Sequence, residues 1–450
     1  MAATKSKKTA KKKAPAAPEQ RPMLRRLKIH KFRHVEPCEL VFSEGYNVLL
    51  GLNGTGKTTL LELISAALRF DFSKMKNEPF MIEYELGVRD AIVKVSVSHK
   101  AIRSAARSMA RSAKMFSGHG VAYELLMTLT VLGTKVNGAF VVRANGGGIE
   151  IDSLGRKHKI GAIGANDLFD YRFMMRCWYY AFERAEIDRA GLDILWEIGT
   201  GWLNGFRFDE ALGFFGSITG GDEIFAAVAV GDTDRLAPTS QDHFMFWTIG
   251  VIADRYLRDL GVAVDSVLVL DQNRFPVLLS VAMMLGFESV ELRFLHTKTE
   301  VEEARPSRIF GEPKFMLRRS DGSVIPHTLL SYGQKRALAL LYYLEANPHC
   351  VIADELVDGL HHAWLVEIVE ALNKRQSFLA SQNPLLLDYL EFDSAEKVAK
   401  SFIQCRLIKS KKGDRMSWSN LSAYDADRFF EAYQVGLQHV SEILRSKGLW

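Results

Sequence analysis

Eight consecutive residues, Gly51-Leu52-Asn53-Gly54-Thr55-Gly56-Lys57-Thr58, have the types and spacing needed to hold phosphate. They match G-x-x-x-x-G-K-[ST] at every fixed position. Glycines let backbone N–H groups curl around phosphate oxygens with no Cβ in the way, and a helix starting here adds the positive end of its dipole. A lysine in this place reaches the outer phosphates, and a following hydroxyl ligates a magnesium ion. Asn53, Gly54, Thr55, Gly56, Lys57, Thr58 and Thr59 are therefore the expected contacts to a nucleoside triphosphate. Such a loop needs an acidic partner, and Cys350-Val351-Ile352-Ala353-Asp354-Glu355 reads as an apolar strand ending in two carboxylates. Asp354 is placed to share the metal with Thr58, and Glu355 to polarise the attacking water. ATP and Mg²⁺ are the expected ligands.

The surrounding elements suit that chemistry. Tyr46–Leu50 is a short apolar run closing on glycine, the pattern of a buried strand. From Lys57 the spacing turns helical, with Leu60, Leu61, Ile64, Ala67 and Leu68 on one face. Residues 24–32 alternate as a strand that 37–42 can pair with, and 80–98 and 121–143 read as strands of a second sheet. From about residue 166 to 261 the pattern is mostly helical and rich in aromatics, without heptads. Strands are expected again at 266–270, 289–295 and 314–319, and a last helix from about 424 to 446. The expected division is a disordered basic tail (1–22), an N-terminal lobe (23–160), a helical insert (161–263) and a C-terminal lobe (264–450).

Composition bounds the class. A chain of 450 residues with 48% apolar and 25% charged residues has material for two or three packed domains. No run reaches the ~18 apolar residues of a membrane span. Cys38, Cys177, Cys350 and Cys405 lie far apart with no C-x-x-C, which suits a reducing cytosol and argues against zinc. The net charge of +5 is concentrated in residues 1–22, whose balance of +6 leaves the rest of the chain near −1. No apolar run follows those charges as a secretory signal would require, so a cytoplasmic protein is expected.

Leu330-Ser331-Tyr332-Gly333-Gln334, shortly before Asp354, resembles the LSGGQ signature of the ABC ATPase superfamily, with Tyr332 in place of the first glycine. The 274 residues between Lys57 and Ser331 exceed the spacing of transporter ATPases, which makes a transporter subunit a distant third reading. The long separation is similar to the SMC, RecF and Rad-type repair ATPases. It is also similar to the overcoming-lysogenisation-defect (OLD) ATPases and their stand-alone "AAA family" relatives in bacterial defence loci. LKIHKFRHVEPCELVF leading into YNVLLGLNGTGKTTLL, Val357-Asp358-Gly359-Leu360-His361-His362, and Ser381-Gln382-Asn383-Pro384-Leu385-Leu386-Leu387-Asp388 resemble segments of that last group. The resemblance implies an α/β ABC-ATPase head, a P-loop mixed sheet flanked by helices, with an α-helical insert between the Walker A and signature halves. It implies that Ser331, Gly333 and Gln334 close on the γ-phosphate held by a second copy, with His361 at the D-loop. The family's switch histidine is missing, and Gln382 or Asn383 stands in that stretch. An amide can hydrogen-bond phosphate but cannot become cationic, so slow hydrolysis is expected. Gln272 is one candidate for the Q-loop glutamine.

The OLD proteins carry a C-terminal Toprim nuclease. Only 95 residues follow Glu355, and they hold no such acidic cluster, so a separate effector, a nuclease or a toxin, is the expected partner. Lys100, Arg103, Arg107, Arg111 and Lys114 recur at helical steps and form a stripe that duplex phosphates or an acidic protein would neutralise. The expected function is an ATP-hydrolysing switch that dimerises, or forms a higher oligomer, in antiphage defence or DNA maintenance. The alternative is a slowly hydrolysing scaffold or sensor that grips a partner protein and not DNA.

Overall fold

The computed structural model describes residues 22–102, apart from short gaps, the strands between 122 and 160, residues 207–210, 228–230 and 236–238, and most of 267–449. Three strands buried at nearly every position, and largely apolar, make the centre of the molecule. They are β3 (Tyr46–Leu50), β16 (Cys350–Asp354) and β17 (Gln376–Ala380), joined by β18 (Phe402–Ile408) and β19 (Arg415–Asn420) in the order β16-β17-β3-β18-β19. The first four are parallel and β19 is antiparallel. Successive side chains alternate between two cores. Tyr46, Val48, Leu50, Val351, Ala353 and Leu379 face one, and Leu49, Ile352, Phe378 and Ala380 the other.

The helix Lys57–Arg69 covers the second core, with Leu60, Leu61, Leu63, Ile64, Ala67 and Leu68 buried. Over it lies an antiparallel sheet. Its strands are β1 (Met23–Lys31), β2 (Cys38–Val41), β4 (Phe80–Val88), β5 (Ala91–Ile102), β6 (Ala122–Leu132), β7 (Asn137–Asn145), β8 (Gly148–Ser153) and β9 (Arg156–Ile160). Their order is β2-β1-β4-β5-β6-β7-β8-β9, so the strands expected near 80–98 and 121–143 are present. The helix Tyr332–Ala346 contributes Ala337, Leu338, Leu340, Tyr342 and Tyr343 to the first core. A third sheet, β11-β10-β14-β13-β12, is built from β10 (Val228–Val230), β11 (Leu236–Pro238), β12 (Val267–Leu270), β13 (Ser289–Glu302) and β14 (Arg305–Arg318), with β15 (Val324–Pro326) beside β14.

One expectation is corrected. Lys100 does not open a basic helix. It lies in β5, where its register partner is Glu124 and the pairing continues to Ile102. At Lys100 the helical spacing yields to pairing with β6, a long-range contact that local periodicity does not record. Arg103, Arg107, Arg111 and Lys114 lie outside the described residues. The expected helical insert also holds β10 and β11, three residues each, too short to show a period of two. Most of the insert lies outside the described residues.

A buried amide ties the outer sheet to the centre. Gln376, at the start of β17, accepts from Leu24 N at 2.8 Å and donates to Leu24 O at 2.8 Å and Ser43 O at 2.9 Å. Replacing it with alanine leaves a buried donor and two acceptors unpaired, at about 3 kcal/mol or more. Gln376→Ala is therefore expected to lower the urea midpoint with an unchanged m-value; an unchanged midpoint would show that other groups carry this seam. Among the described residues, no helix is long and apolar enough to cross a membrane.

Candidate nucleotide-binding site

The glycine loop sits where β3 leaves the sheet. Gly51, Gly54 and Gly56 have φ of 151°, 79° and 89°, backbone that residues with a Cβ adopt at a cost. Two of them also lack room. A Cβ on Gly51 would lie 2.2 Å from the Cys405 carbonyl oxygen, and one on Gly56 would lie 2.3 Å from Met416 Sδ. Gly56 is the N-cap of the helix Lys57–Arg69 without a side-chain cap, so the helix's first N–H groups have no capping partner from it. Lys57 is buried and folds over the loop, its Nζ donating to Gly51 O at 2.7 Å and Leu52 O at 3.1 Å. Thr55 Oγ1 donates to Leu52 O at 2.7 Å.

The acidic strand reaches the same place. Thr58 Oγ1 donates to Asp354 Oδ2 at 2.5 Å, joining residues 296 apart in sequence. That pair of oxygens is the donor set a hard divalent cation takes, and the loop has the open glycine backbone a polyphosphate needs, so the residues present fit ATP and Mg²⁺. β17 lies between β16 and β3, so the stretch from Ser381 emerges between the two motifs. Gln382 lies outside the described residues. Asn383 accepts from Leu385 N at 3.0 Å and caps the helix Pro384–Asp388, an occupation for the alternative switch residue.

Glu355 follows β16 in the left-handed region, φ 48°, which costs a non-glycine residue about 1 kcal/mol or more. Its N–H donates to Ala380 O at 2.8 Å, and its carbonyl accepts from Arg336 Nη2. Ser331 caps the helix Tyr332–Ala346 in a reciprocal box. Its Oγ accepts from Gln334 N at 3.4 Å, and Gln334 Oε1 accepts from Ser331 N at 3.1 Å. Gln334 is thus engaged with the cap. A Cβ on Gly333 would lie 2.6 Å from Gly359 O, and one on Gly359 (φ 71°) would lie 2.5 Å from Tyr332 Cε1. The signature and the loop after β16 therefore pack on each other. His361 stays exposed, its Nδ1 accepting from Ala363 N at 3.3 Å. Among the described residues, no hydrogen bond or ion pair joins Ser331, Gly333 or Gln334 to the loop 51–59. Gln272 lies just after β12, with Oε1 buried and unpaired.

The sequence reading missed the floor of the loop. Trp418, on β19, is 1% exposed and donates Nε1 to Thr55 O at 3.2 Å, beside Met416. A lone tryptophan among polar residues was the one signal. Burial pushes the thiols of Cys38 to about 11 and Cys405 to about 12, so both stay protonated at neutral pH.

Residues 26–155 match a family described as an AAA domain. Over 46 residues, 10% of this chain and 5% of the relative, the sequence is 52% identical to the DNA double-strand break repair Rad50 ATPase of Methanopyrus kandleri. Over 41 residues, 9% of this chain and 11% of the relative, it is 49% identical to the DNA replication and repair protein RecF of Vibrio vulnificus. These matches span only a small part of the curated relatives' length. The SMC head domain from Thermotoga maritima superposes on 89% of this chain and 99% of its own with a TM-score of 0.33 and 12% identity, too distant to argue from. The glycine loop between buried strand and helix, the acidic strand two places away in the same sheet, and the match of residues 26–155 to the AAA domain family make this site similar to the nucleotide-binding site of P-loop ATPases, among them the SMC/RecF-like ABC class.

Proposed function

We propose that the chain binds and hydrolyses ATP between two copies of itself, and that closing and opening of the pair is a switch used in DNA maintenance or antiphage defence with a separate effector. The observation that carries the reading is the Thr58–Asp354 contact beneath a loop whose lysine lies over it. In this reading Asn53–Thr59 hold the phosphates and Glu355 orients and polarises water. Thr58 and Asp354 would hold Mg²⁺, which supplies charge neutralisation at the outer phosphates. Ser331 and Gly333 serve the partner's nucleotide, a role supported by their place at a helix start, Ser331 exposed and Gly333 half-buried, with no described bond to their own loop. The division into tail, two lobes and insert, and a cytoplasmic location, belong to the same proposal. Relatives that act in DNA repair and replication favour DNA maintenance over defence. The engagement of Asn383 as a helix cap supports slow turnover, the property a scaffold or sensor would share.

Mixing inactive chains tests the assembly. Ser331→Arg and Lys57→Ala should each be inactive alone, and their mixture should regain part of the wild-type rate, because one of its two composite sites is intact. Activity per chain that stays constant on dilution, in a protein shown by ultracentrifugation to be monomeric, would overturn the shared site.

A further inference from the structure

Arg207–Glu210 lies far in sequence from every motif, yet it is built into the ATPase core. Arg207 forms a parallel bridge with Ile352 on the free edge of β16. The Tyr343 hydroxyl accepts from Ile352 N at 3.0 Å, so this edge is covered from both directions. Arg207 lies 3.5 Å from Glu62, and Glu210 lies 3.4 Å from Arg69, both on the helix that begins at Lys57. Burial raises the Glu210 carboxyl, but Arg69, Lys74 and Arg207 outweigh it and hold the group below its ordinary value. Phe208 between them is fully buried, with its ring 5.5 Å from Tyr343 and 5.2 Å from the guanidinium carbon of Arg336.

Arg336 then reaches the hydrolytic loop. Its guanidinium is buried, stacked over Phe208, and donates to the Glu355 carbonyl. Glu355 is thereby pinned on both sides, by Arg336 at its carbonyl and by Ala380 O at its N–H. With both neighbouring peptide planes held, the direction in which the side chain leaves the backbone is set in a conformation that a non-glycine residue does not keep without support. We propose that Phe208 and Arg336 are positioning residues for Glu355: the ring orients the guanidinium, the guanidinium holds the strained carbonyl, and the insert thereby governs alignment of the carboxylate. The proposal rests on the reading of Glu355 as the group that polarises water.

The test uses full-length Phe208→Leu, Arg336→Lys, the double variant and Glu355→Gln, with kcat, KM for ATP, binding of a fluorescent ATP analogue and urea unfolding. Leucine keeps an apolar filling but removes the ring face; lysine keeps the charge but loses the planar fork. Each single change should lower kcat about tenfold, the loss of roughly 1.4 kcal/mol of alignment, and leave KM and analogue binding within about twofold. Because the two act in series, the double variant should fall no further than the worse single. Should Phe208→Leu not fold, Arg336→Lys carries the test through the same split. If Glu355→Gln is inactive while both single variants turn over at the wild-type rate, or lose activity only through KM, or multiply in the double, this inference fails alone. If Glu355→Gln turns over normally, the reading of Glu355 and this inference fail together.

Discussion

Glu355→Gln should keep ATP affinity and lose turnover by about a hundredfold or more, the range for removing a positioned general base. The change is nearly isosteric and leaves the backbone bonds to Ala380 and Arg336 in place, so the loop geometry survives while the carboxylate is gone. Lys57→Ala separates the two halves of the site. It removes the amino group that lies over Gly51 O and Leu52 O and should weaken binding itself. Equilibrium binding of a nucleotide analogue beside single-turnover hydrolysis distinguishes the pair. Wild-type hydrolysis by Glu355→Gln would remove Glu355 from the mechanism and leave the phosphate loop unaffected.

Gly51→Ala should be the most damaging single methyl in the loop. The added Cβ would stand 2.2 Å from the Cys405 carbonyl oxygen and 2.8 Å from Thr55 Oγ1, with φ at 151°. The nearest atom is backbone of β18, paired to β3 through Gln404 and Leu50, so relief requires parting those strands. Overpacking and the disfavoured backbone together cost about 3 kcal/mol or more, and nucleotide affinity should fall with stability. Gly54→Ala is the control. It shares a positive φ, 79°, but has nothing within 4 Å of its Cβ, so it should cost only about 1 kcal/mol. Urea midpoints of the two variants decide. Equal losses would mean that conformation alone, and not the Cys405 contact, limits this turn.

Neither the bond from Trp418 to the glycine loop nor the Phe208–Arg336 stack could be read from local pattern. Trp418 and Thr55 are 363 residues apart, and their hydrogen bond exists because β19 follows β18 beside the loop strand. Phe208 sits in a segment whose composition reads as one more aromatic helix. Lys100 shows the converse, a residue at helical spacing that lies in a strand because β6 pairs with it. A run of like charges at helical steps describes a helix only if the backbone is free to choose one.

Some features of this protein needed only local information. Tyr46–Leu50 is apolar at nearly every position and ends on a glycine, so burial on both faces and a sharp exit follow from composition and covalent geometry. The helix from Lys57 follows from apolar residues three and four apart, and the phosphate-binding character of the turn between them from the absence of Cβ atoms. The motifs already paired Thr58 with Asp354; tertiary structure alone decided that β17 separates β16 from β3 and that Arg336 grips the carbonyl after β16. Those contacts depend on strand order and helix packing across hundreds of residues. Their energies come from burial shared by the whole core, which no local window of the chain contains.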